Sequence, residues 1–332
     1  MTEAELDALA DEIVARIQSG RKAVGGRRAD APTRSGRQEA VSRGALALAL
    51  APATQPAAVA ITDISWRGPN VMKAAWSPAE GARRVADFVD HTLLKAEATR
   101  QEVVKLCAEA RQHRFAAVCV NAGWVELCVK ELEGTEVAVA TVCGFPLGAT
   151  TPRAKAAEAA EAVAGGAGEV DMVIALGRAK GGEWAYVEDD IRAVVEASRR
   201  AIVKVIIESS ALTPEEIVKA SAIAKEAGAH FVKTSTGFHP SGGATTDAVR
   251  LMRLVVGDDL GVKASGGVRD CATALAMIAA GASRIGTSSG VGFVTCLGPG
   301  PLPLAELLKQ PHAHGASCTS GTCAPAGGGQ PY

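Results

Sequence analysis

The segment VAVATV at residues 137–142 is apolar except for Thr141, and the segment IVKVII at residues 202–207 is apolar except for Lys204. Neither segment alternates between apolar and polar residues, as a strand with one solvent-facing side does. Strands with apolar side chains on both faces are found in parallel sheets that helices cover on both sides. These two segments therefore predict a buried parallel sheet.

Similar short runs recur along the chain at spacings of roughly 20 to 35 residues, the length of a strand followed by a helix. Eight such units are typical of a closed (β/α)8 barrel, the TIM barrel, which is the fold class we predict. An open, doubly wound sheet is the alternative. The predicted strands are 86–90, 115–120, 137–142, 169–174, 202–207, 230–234, 260–264 and 283–287.

Three helix starts can be recognised from their capping residues. Thr213 is followed by Pro214 and, three residues on, by Glu216, which together form a capping box with proline at the first helical position. Thr99 and Glu102 repeat the capping box. Thr151-Pro152 opens an alanine-rich helix that we expect to end at Gly165-Gly166.

Composition excludes several classes of protein. The chain has 332 residues, 48% of them hydrophobic, and a formal net charge of −1, which gives no reason to expect nucleic acid or an anionic membrane as a partner. There is no apolar run of about 18 residues, and the acidic N-terminus lacks the features of a secretory signal. Six of the cysteines are scattered through the central part of the chain and read as buried free thiols of a cytoplasmic protein.

The chain divides into three predicted regions. Residues 1–78 form an N-terminal extension, with one amphipathic helix at 3–18 and a basic, flexible linker at 20–43. This extension is either solvated or a docking arm for a partner or polyanion. Residues 79–309 form the barrel, and residues 310–332 a disordered tail. The tail holds His312, His314, Cys318 and Cys323, either as a metal clip or, as the loose spacing favours, as free or disulfide-bonded thiols.

The active site of such a barrel lies at the C-terminal ends of the strands. Polar residues are few there, and two of them are lysines that interrupt apolar runs in neighbouring strands. The residues at these ends are Asp90-His91-Thr92, Cys119, Asn121, Asp171, Glu208, Lys233 and Lys263.

Lys233 and Lys263 are expected to act together. Burial disfavours an ammonium group, and two neighbouring ammonium groups repel each other, so one lysine should lose its proton near neutral pH. A neutral lysine is a nucleophile for a carbonyl carbon. Asp171 is a candidate to move protons, although an ion pair with one lysine would also explain it.

Glycine-rich loops follow the last three predicted strands, at Thr236-Gly237, Gly266-Gly267 and 286–290. Glycine lets the backbone approach a ligand closely, and loops in this part of a barrel commonly bind phosphate. The residues alone therefore predict a phosphosugar substrate and an imine-forming lysine, without a metal ion.

Seven further segments stand out between about residues 85 and 292. They are DHTLLK (90–95), VCVN (118–121), VCGFPLG (142–148), EVDMV (169–173), KVIIE (204–208), KTSTG (233–237) and VKASGGVR (262–269). Together these segments resemble deoxyribose-phosphate aldolase, and they occur in the order in which that family carries them.

The resemblance implies a reaction without a cofactor. Lys233 would form a Schiff base with the aldehyde of open-chain 2-deoxy-D-ribose 5-phosphate, Lys263 would lower the pKa of Lys233, and Asp171 would relay protons. The C2–C3 bond then breaks, and the products are D-glyceraldehyde 3-phosphate and acetaldehyde. The family also implies a homo-oligomer, either a dimer or a tetramer.

The resemblance also implies roles for the surrounding residues. His91 is expected to be structural, and Phe238 stands where some family members have a lysine that helps to bind phosphate. Backbone N–H groups of Gly237, Gly266, Gly267 and Gly286 and the hydroxyls of Ser288 and Ser289 are expected to bind the phosphate. Asp90, Thr92, Cys119 and Asn121 are expected to shape the pocket.

Two other functions stay open from the sequence. One is a barrel aldolase or transaldolase that forms an imine with a different phosphosugar. The other is a non-catalytic phosphosugar-binding protein that keeps the same scaffold.

Overall fold

A computed structural model of the chain describes residues 82–199 and 201–309. The predictions for the N-terminal extension and for the C-terminal tail, including its histidines and cysteines, therefore concern segments outside the described residues.

Eight parallel strands form a closed barrel, as predicted. The open sheet is excluded because the first strand pairs with the last, with Val89 opposite Ile285 and His91 opposite Thr287. The strands are β1 (Val89–Leu93), β2 (Ala117–Val120), β3 (Ala138–Cys143), β4 (Glu169–Val173), β5 (Ile202–Ile206), β6 (Phe231–Lys233), β7 (Gly261–Ser265) and β8 (Arg284–Thr287).

Helices lie between consecutive strands and follow the last one. Two further strands of two residues each, Ala82–Arg83 and Leu302–Pro303, pair with each other outside the barrel. Among the described helices, none has the length and hydrophobicity needed to cross a bilayer. The helices are α1 (Arg100–His113), α2 (Val125–Glu131), α3 (Pro152–Ala164), α4 (Leu176–Lys180), α5 (Trp184–Ala197), α6 (Pro214–Glu226), α7 (Thr246–Val256), α8 (Cys271–Ala279), α9 (Gly290–Leu297) and α10 (Leu304–Leu307).

The predicted helix starts are confirmed. The side chains of Thr99, Thr151 and Thr213 each accept a hydrogen bond from a backbone N–H in the first turn of α1, α3 and α6. Both predicted capping boxes form, and helix α3 ends at Gly165 as expected.

The first strand differs from its prediction at 86–90. Residues Val85–Phe88 form a 3-10 turn, and the strand begins only at Val89. The turn is closed by Asp87, whose carboxylate accepts hydrogen bonds from the backbone N–H and the guanidinium of Arg84. As a result Asp90 lies inside the strand rather than at its end.

A buried ion pair lies at the C-terminal end of β4. Lys155 Nζ of α3 lies 2.6 Å from Asp190 Oδ2 of α5 and donates to the carbonyl of Val173 at 2.8 Å. Asp190 also accepts from the N–H of Ala175 at 3.1 Å. Both charged side chains are 0% exposed. This pair fixes the strand that carries Asp171 to the two helices behind it.

The cysteine prediction is confirmed only in part. The described cysteines are free thiols, and Cys107, Cys119, Cys128 and Cys143 are buried as expected. The prediction of burial is wrong for Cys271, which is half-buried, and for Cys296, which is exposed. These two lie at the start of α8 and in the last turn of α9, where the apolar run reaches the surface.

Candidate active site

The two lysines singled out from the sequence are direct neighbours across β6 and β7. Lys233 pairs with Lys263 in the register of the parallel ladder, and paired residues of adjacent strands point to the same face of a sheet. Both side chains point to the barrel interior, where Lys233 is 3% and Lys263 is 0% exposed.

Asp171 of β4 joins the lysines. Its Oδ2 lies 2.9 Å from Lys233 Nζ and 2.7 Å from Lys263 Nζ. Its Oδ1 accepts from Lys204 Nζ of β5 at 2.8 Å. The structure therefore brings together Lys233, Lys263 and Asp171, and it adds a third lysine that the sequence analysis noted only as an exception in an apolar strand.

A second group of buried charges lies beside these residues. Lys263 Nζ lies 2.5 Å from Asp90 Oδ2, and Arg284 Nη1 lies 2.5 Å from Asp90 Oδ1. Glu169 contacts Lys204 at 2.5 Å and Arg284 at 3.3 Å.

Glu169 and Arg284 were not predicted as site residues, although the sequence contains a signal for them. Side chains two residues apart in a strand point to the same face. Glu169 stands two residues before Asp171, and Arg284 stands two residues before Gly286.

Burial and contacts with carboxylates shift the pKa values of the three lysines in different directions. Burial lowers the pKa of Lys233, and its contact with Asp171 does not make up for this loss, while the nearby charge of Lys263 lowers the pKa further. Burial acts on Lys263 in the same way, but the carboxylates of Asp171 and Asp90 outweigh it and raise the pKa well above its ordinary value. For Lys204 the carboxylates likewise outweigh burial and raise the pKa.

The charge count of this cluster favours a neutral Lys233. Among the described residues, the cluster holds four bases and three acids. For both Asp90 and Asp171, burial would raise the pKa, but the surrounding cations outweigh it, so the pKa is lowered and both carboxylates stay ionised. Loss of one proton from Lys233 balances the remaining charges. The bases are Lys204, Lys233, Lys263 and Arg284, and the acids are Asp90, Glu169 and Asp171.

One side of the barrel mouth is apolar. Cys119 is 0% exposed and belongs to a small apolar cluster with Val142, against which Phe145 and Phe238 pack. The rings of Phe145 and Phe238 meet edge to face, 5.2 Å between centroids. Burial raises the pKa of the Cys119 thiol, which keeps it protonated at neutral pH.

Two other predicted pocket residues bind backbone groups of β1 and the residue that follows it. The hydroxyl of Thr92 donates to the carbonyl of Asp90 at 2.8 Å, and the amide of Asn121 donates to the carbonyl of Leu94 at 3.3 Å. The ring of His91 instead contacts Glu109 of α1 at 2.7 Å. His91 therefore points away from the charge cluster, as a structural residue does.

The glycine loops after β6 and β7 come together. A Cβ placed on Gly266 would lie 3.0 Å from Gly243 Cα and 3.4 Å from Gly237 Cα. Gly237, Gly266 and Gly267 have φ angles of 86°, 83° and 81°, which favour glycine. The two predicted phosphate-binding loops are therefore adjacent.

The third glycine loop is arranged differently. Gly286 lies within β8, where a Cβ would meet Ser265 Oγ at 2.4 Å and Lys263 Cε at 3.0 Å. Glycine at this position therefore makes room for the side chains of Ser265 and Lys263. Ser288 is exposed, whereas Ser289 directly precedes α9 and its N–H donates to Thr287 Oγ1 at 2.9 Å.

Glu208 fixes the loop after β6 from the neighbouring strand. Its carboxylate accepts hydrogen bonds from the N–H of Thr236 at 3.2 Å and from its hydroxyl at 2.6 Å. Thr236 Oγ1 in turn accepts from the N–H of Phe238 at 3.1 Å. Glu208 has a φ of 55°, an uncommon backbone conformation for a residue with a side chain. Glu208 was predicted to lie at a strand end, without a role in the site.

Fold and site together define a class of protein: a (β/α)8 barrel enzyme whose interior presents lysines and carboxylates at the catalytic end. The sequence model for the DeoC/LacD family aldolases matches residues 84–295. The chain belongs to this family. It is therefore an aldolase, a lyase that acts on carbon–carbon bonds.

Individual relatives agree with this assignment. The chain is 58% identical to the deoxyribose-phosphate aldolase of Geobacillus sp. (strain WCH70) over 211 residues, 63% of this chain and 94% of that relative. It resembles the crystal structure of a putative deoxyribose-phosphate aldolase from Coccidioides immitis, with a TM-score of 0.63 and 38% identity over 70% of this chain and 92% of that one. It also resembles the tetrameric deoxyribose phosphate aldolase from Aeropyrum pernix, with a TM-score of 0.60 and 30% identity over 68% of this chain and 96% of that one.

Proposed function

We propose that the chain catalyses the reversible cleavage of 2-deoxy-D-ribose 5-phosphate into D-glyceraldehyde 3-phosphate and acetaldehyde, through a Schiff base on Lys233. The contact pattern of Lys233 is the observation that carries the proposal. Lys233 is buried like Lys204 and Lys263, yet its pKa is lowered while theirs are raised. Only a neutral amine attacks a carbonyl carbon. The names of the relatives supply the substrate.

The first half of the reaction builds the imine. Lys233 Nζ attacks the aldehyde carbon C1, and Asp171, 2.9 Å from that nitrogen, moves protons between the amine and the carbinolamine oxygen. Water leaves, and the protonated imine remains. Lys263 keeps its proton because Asp90 and Asp171 both contact it, so it serves as a fixed positive charge beside the nucleophile.

The second half breaks the carbon–carbon bond. Asp171 takes the proton of the C3 hydroxyl, the C2–C3 electron pair moves into the imine, and glyceraldehyde 3-phosphate leaves. The resulting enamine takes a proton at C2, and water then releases acetaldehyde from Lys233. The protonated imine accepts the electron pair, so the bond can break at neutral pH.

The substrate phosphate is proposed to bind at the adjacent loops after β6 and β7, through N–H groups of Gly237, Gly266 and Gly267, and at the hydroxyls of Ser288 and Ser289 after β8. Gly286 contributes by making room for Lys263. Phe238 places a ring rather than a charge at the mouth, so phosphate affinity depends on backbone N–H groups and hydroxyls.

Borohydride trapping with 2-deoxyribose 5-phosphate tests the mechanism. Reduction should leave an adduct on Lys233, insensitive to chelator, and trypsin should then fail to cleave there, which gives one peptide spanning residues 226–250. Lys233→Ala is the control and should give no adduct and no turnover. Absence of an adduct in the unaltered chain, or one on Lys263 alone, would contradict the proposal.

Assembly and location are also proposals. A homo-oligomer is supported by the tetrameric relative from Aeropyrum pernix, and light scattering of the purified chain would test it. The cytoplasmic location predicted from the free thiols stays a prediction.

A further inference from the structure

Two accessible thiols lie between neighbouring helices on the outside of the barrel. Cys271 is the first residue of α8, and Cys296 lies in the last turn of α9. Both are free, Cys271 half-buried and Cys296 exposed. They belong to none of the groups that the proposed reaction uses.

The backbone geometry places the two sulfur atoms side by side. Cys271 Sγ lies 3.9 Å from the carbonyl oxygen of Gly292 in α9. Cys296 follows Gly292 by four residues, so it lies on the same face of the helix, and its side chain leans back over the turn of Gly292. Gly292 has no side chain, and a Cβ built there meets no atom within 4 Å. Nothing at residue 292 therefore separates the thiols.

The titration of Cys271 is consistent with this contact. Burial and, after it, a hydrogen bond with the Cys296 thiol raise the pKa of Cys271. Cys271 therefore stays a thiol, and the exposed Cys296 is the sulfur that meets reagents from solution first.

A second pair of cysteines in the same chain provides an internal comparison. Cys107 of α1 and Cys128 of α2 also share a hydrogen bond. They are 1% and 0% exposed, so an oxidant dissolved in water does not reach them in the folded chain.

We propose that Cys271 and Cys296 form a peroxide-sensitive modification site, which closes to a reversible disulfide between α8 and α9. The Cys296 sulfur attacks one oxygen of hydrogen peroxide, the O–O bond breaks, and the thiol proton passes to the leaving oxygen, so that a sulfenic acid and water form. The Cys271 sulfur then attacks the Cys296 sulfur, the S–S bond forms, and the oxygen leaves as water. In total, two thiol hydrogens and two electrons pass to peroxide, which becomes two water molecules.

Peptide mapping of the full-length chain tests this site. Cys318→Ser and Cys323→Ser are introduced first, because those two thiols would compete for the oxidant. The folded chain is treated with hydrogen peroxide, free thiols are alkylated after denaturation, and the chain is digested without reduction. We expect peptide 270–284 to be joined to peptide 285–309 with the loss of two hydrogen atoms, and dithiothreitol to separate them. The peptides 106–111 and 115–130, which hold Cys107 and Cys128, should stay alkylated.

Single variants show the order of events. Cys271→Ser should leave Cys296 as a sulfenic acid that dimedone traps, and Cys296→Ser should protect Cys271 from peroxide. Two outcomes would overturn the proposal. One is oxidation of Cys296 without a disulfide to Cys271, in the chain that retains Cys271. The other is a Cys107–Cys128 disulfide that forms before the Cys271–Cys296 disulfide. The outcome is independent of the proposed reaction, because borohydride trapping on Lys233 reports on that reaction separately.

Discussion

Three buried lysines share one carboxylate, yet the number of carboxylates around each amine differs. Lys233 contacts Asp171, whereas Lys263 contacts both Asp171 and Asp90, counting the described residues. Burial costs each ammonium group, and each added carboxylate offsets that cost. The difference between nucleophile and fixed charge is therefore set by neighbours and not by residue type.

Replacement of Lys263 tests this reasoning. In Lys263→Leu, Asp171 Oδ2 keeps Lys233 while Oδ1 keeps Lys204, and the repulsion between Lys263 and the Lys233 ammonium disappears. The pKa of Lys233 should rise, so less neutral amine is present at pH 7. We expect kcat/KM at pH 7 to fall by roughly 10²–10⁴-fold, and the acidic limb of the pH profile to move to higher pH. Lys105→Leu, on a 76% exposed side chain, is the control and should change neither.

A matched change on the acidic side of the cluster should act in the opposite direction. Glu169→Gln removes a negative charge from the group that contacts Lys204 and Arg284. With fewer carboxylates the ammonium form of Lys233 is less favoured, so the acidic limb should move to lower pH. An unchanged limb in both variants would refute the charge-count argument.

Elements of the barrel hold these residues in place through hydrogen bonds that cross between strands. The Glu208–Thr236–Phe238 chain of hydrogen bonds ties the end of β5 to the loop after β6. That loop carries Gly237, which we propose to bind phosphate.

Loss of these hydrogen bonds should weaken substrate binding more than it slows the chemical step. In Glu208→Gln one of the two acceptor oxygens becomes an NH2 group, so the side chain can no longer accept from both the N–H and the hydroxyl of Thr236, and the anchor of the loop is weakened. We expect KM for 2-deoxyribose 5-phosphate to rise by roughly 5- to 30-fold, about 1–2 kcal/mol, with kcat changed much less. Thr236→Val removes the hydroxyl that donates to Glu208, so it should also raise KM while changing kcat much less. A fall in kcat alone would count against a role in positioning the loop.

The ion pair between α3 and α5 is expected to stabilise the folded chain. Lys155→Met leaves Asp190 buried without its cation, which should lower the free energy of unfolding by about 3–5 kcal/mol, measured by urea denaturation. Lys155→Met combined with Asp190→Leu should recover much of this loss. Lys219→Met, which removes a half-exposed i,i+4 partner of Glu215, is the control and should cost less than about 1 kcal/mol.

The stability of the whole molecule depends on histidines buried in neutral form. Nδ1 of His230 accepts a hydrogen bond from the N–H of Val203 at 2.9 Å, at the start of β5. Burial lowers the pKa of His230 to about 4 from an ordinary value of 6.5. In this window the unfolded chain binds a proton that the folded chain does not, so stability falls as pH drops from 6.5 to about 4.

We expect a loss on the order of 2 kcal/mol across this window from His230. The measurement is the urea midpoint at several pH values, with His230→Gln as the comparison. The variant should have a flatter profile above pH 4, whereas equal slopes in both chains would show that another group controls this transition.

At the scale of the whole molecule, the sequence by itself determined the fold class, the proposed nucleophile pair and the carboxylate beside it. Apolar strands at even spacing are local signals, and a lysine or aspartate in such a strand stands out without any knowledge of the fold. Lys233 and Lys263 then meet because they are paired on neighbouring strands, whereas Asp171 of β4 reaches both amines across the barrel interior.

Only the tertiary structure decided which amine carries the lowered pKa, because that depends on contacts between residues up to 194 positions apart, such as Asp90 and Arg284. The same holds for Lys155 and Asp190, whose burial follows from the packing of two helices on one strand. Gly286 shows the limit most directly. In the sequence it is part of a glycine-rich loop, whereas in the folded chain it leaves the space that the side chains of Ser265 and Lys263 occupy.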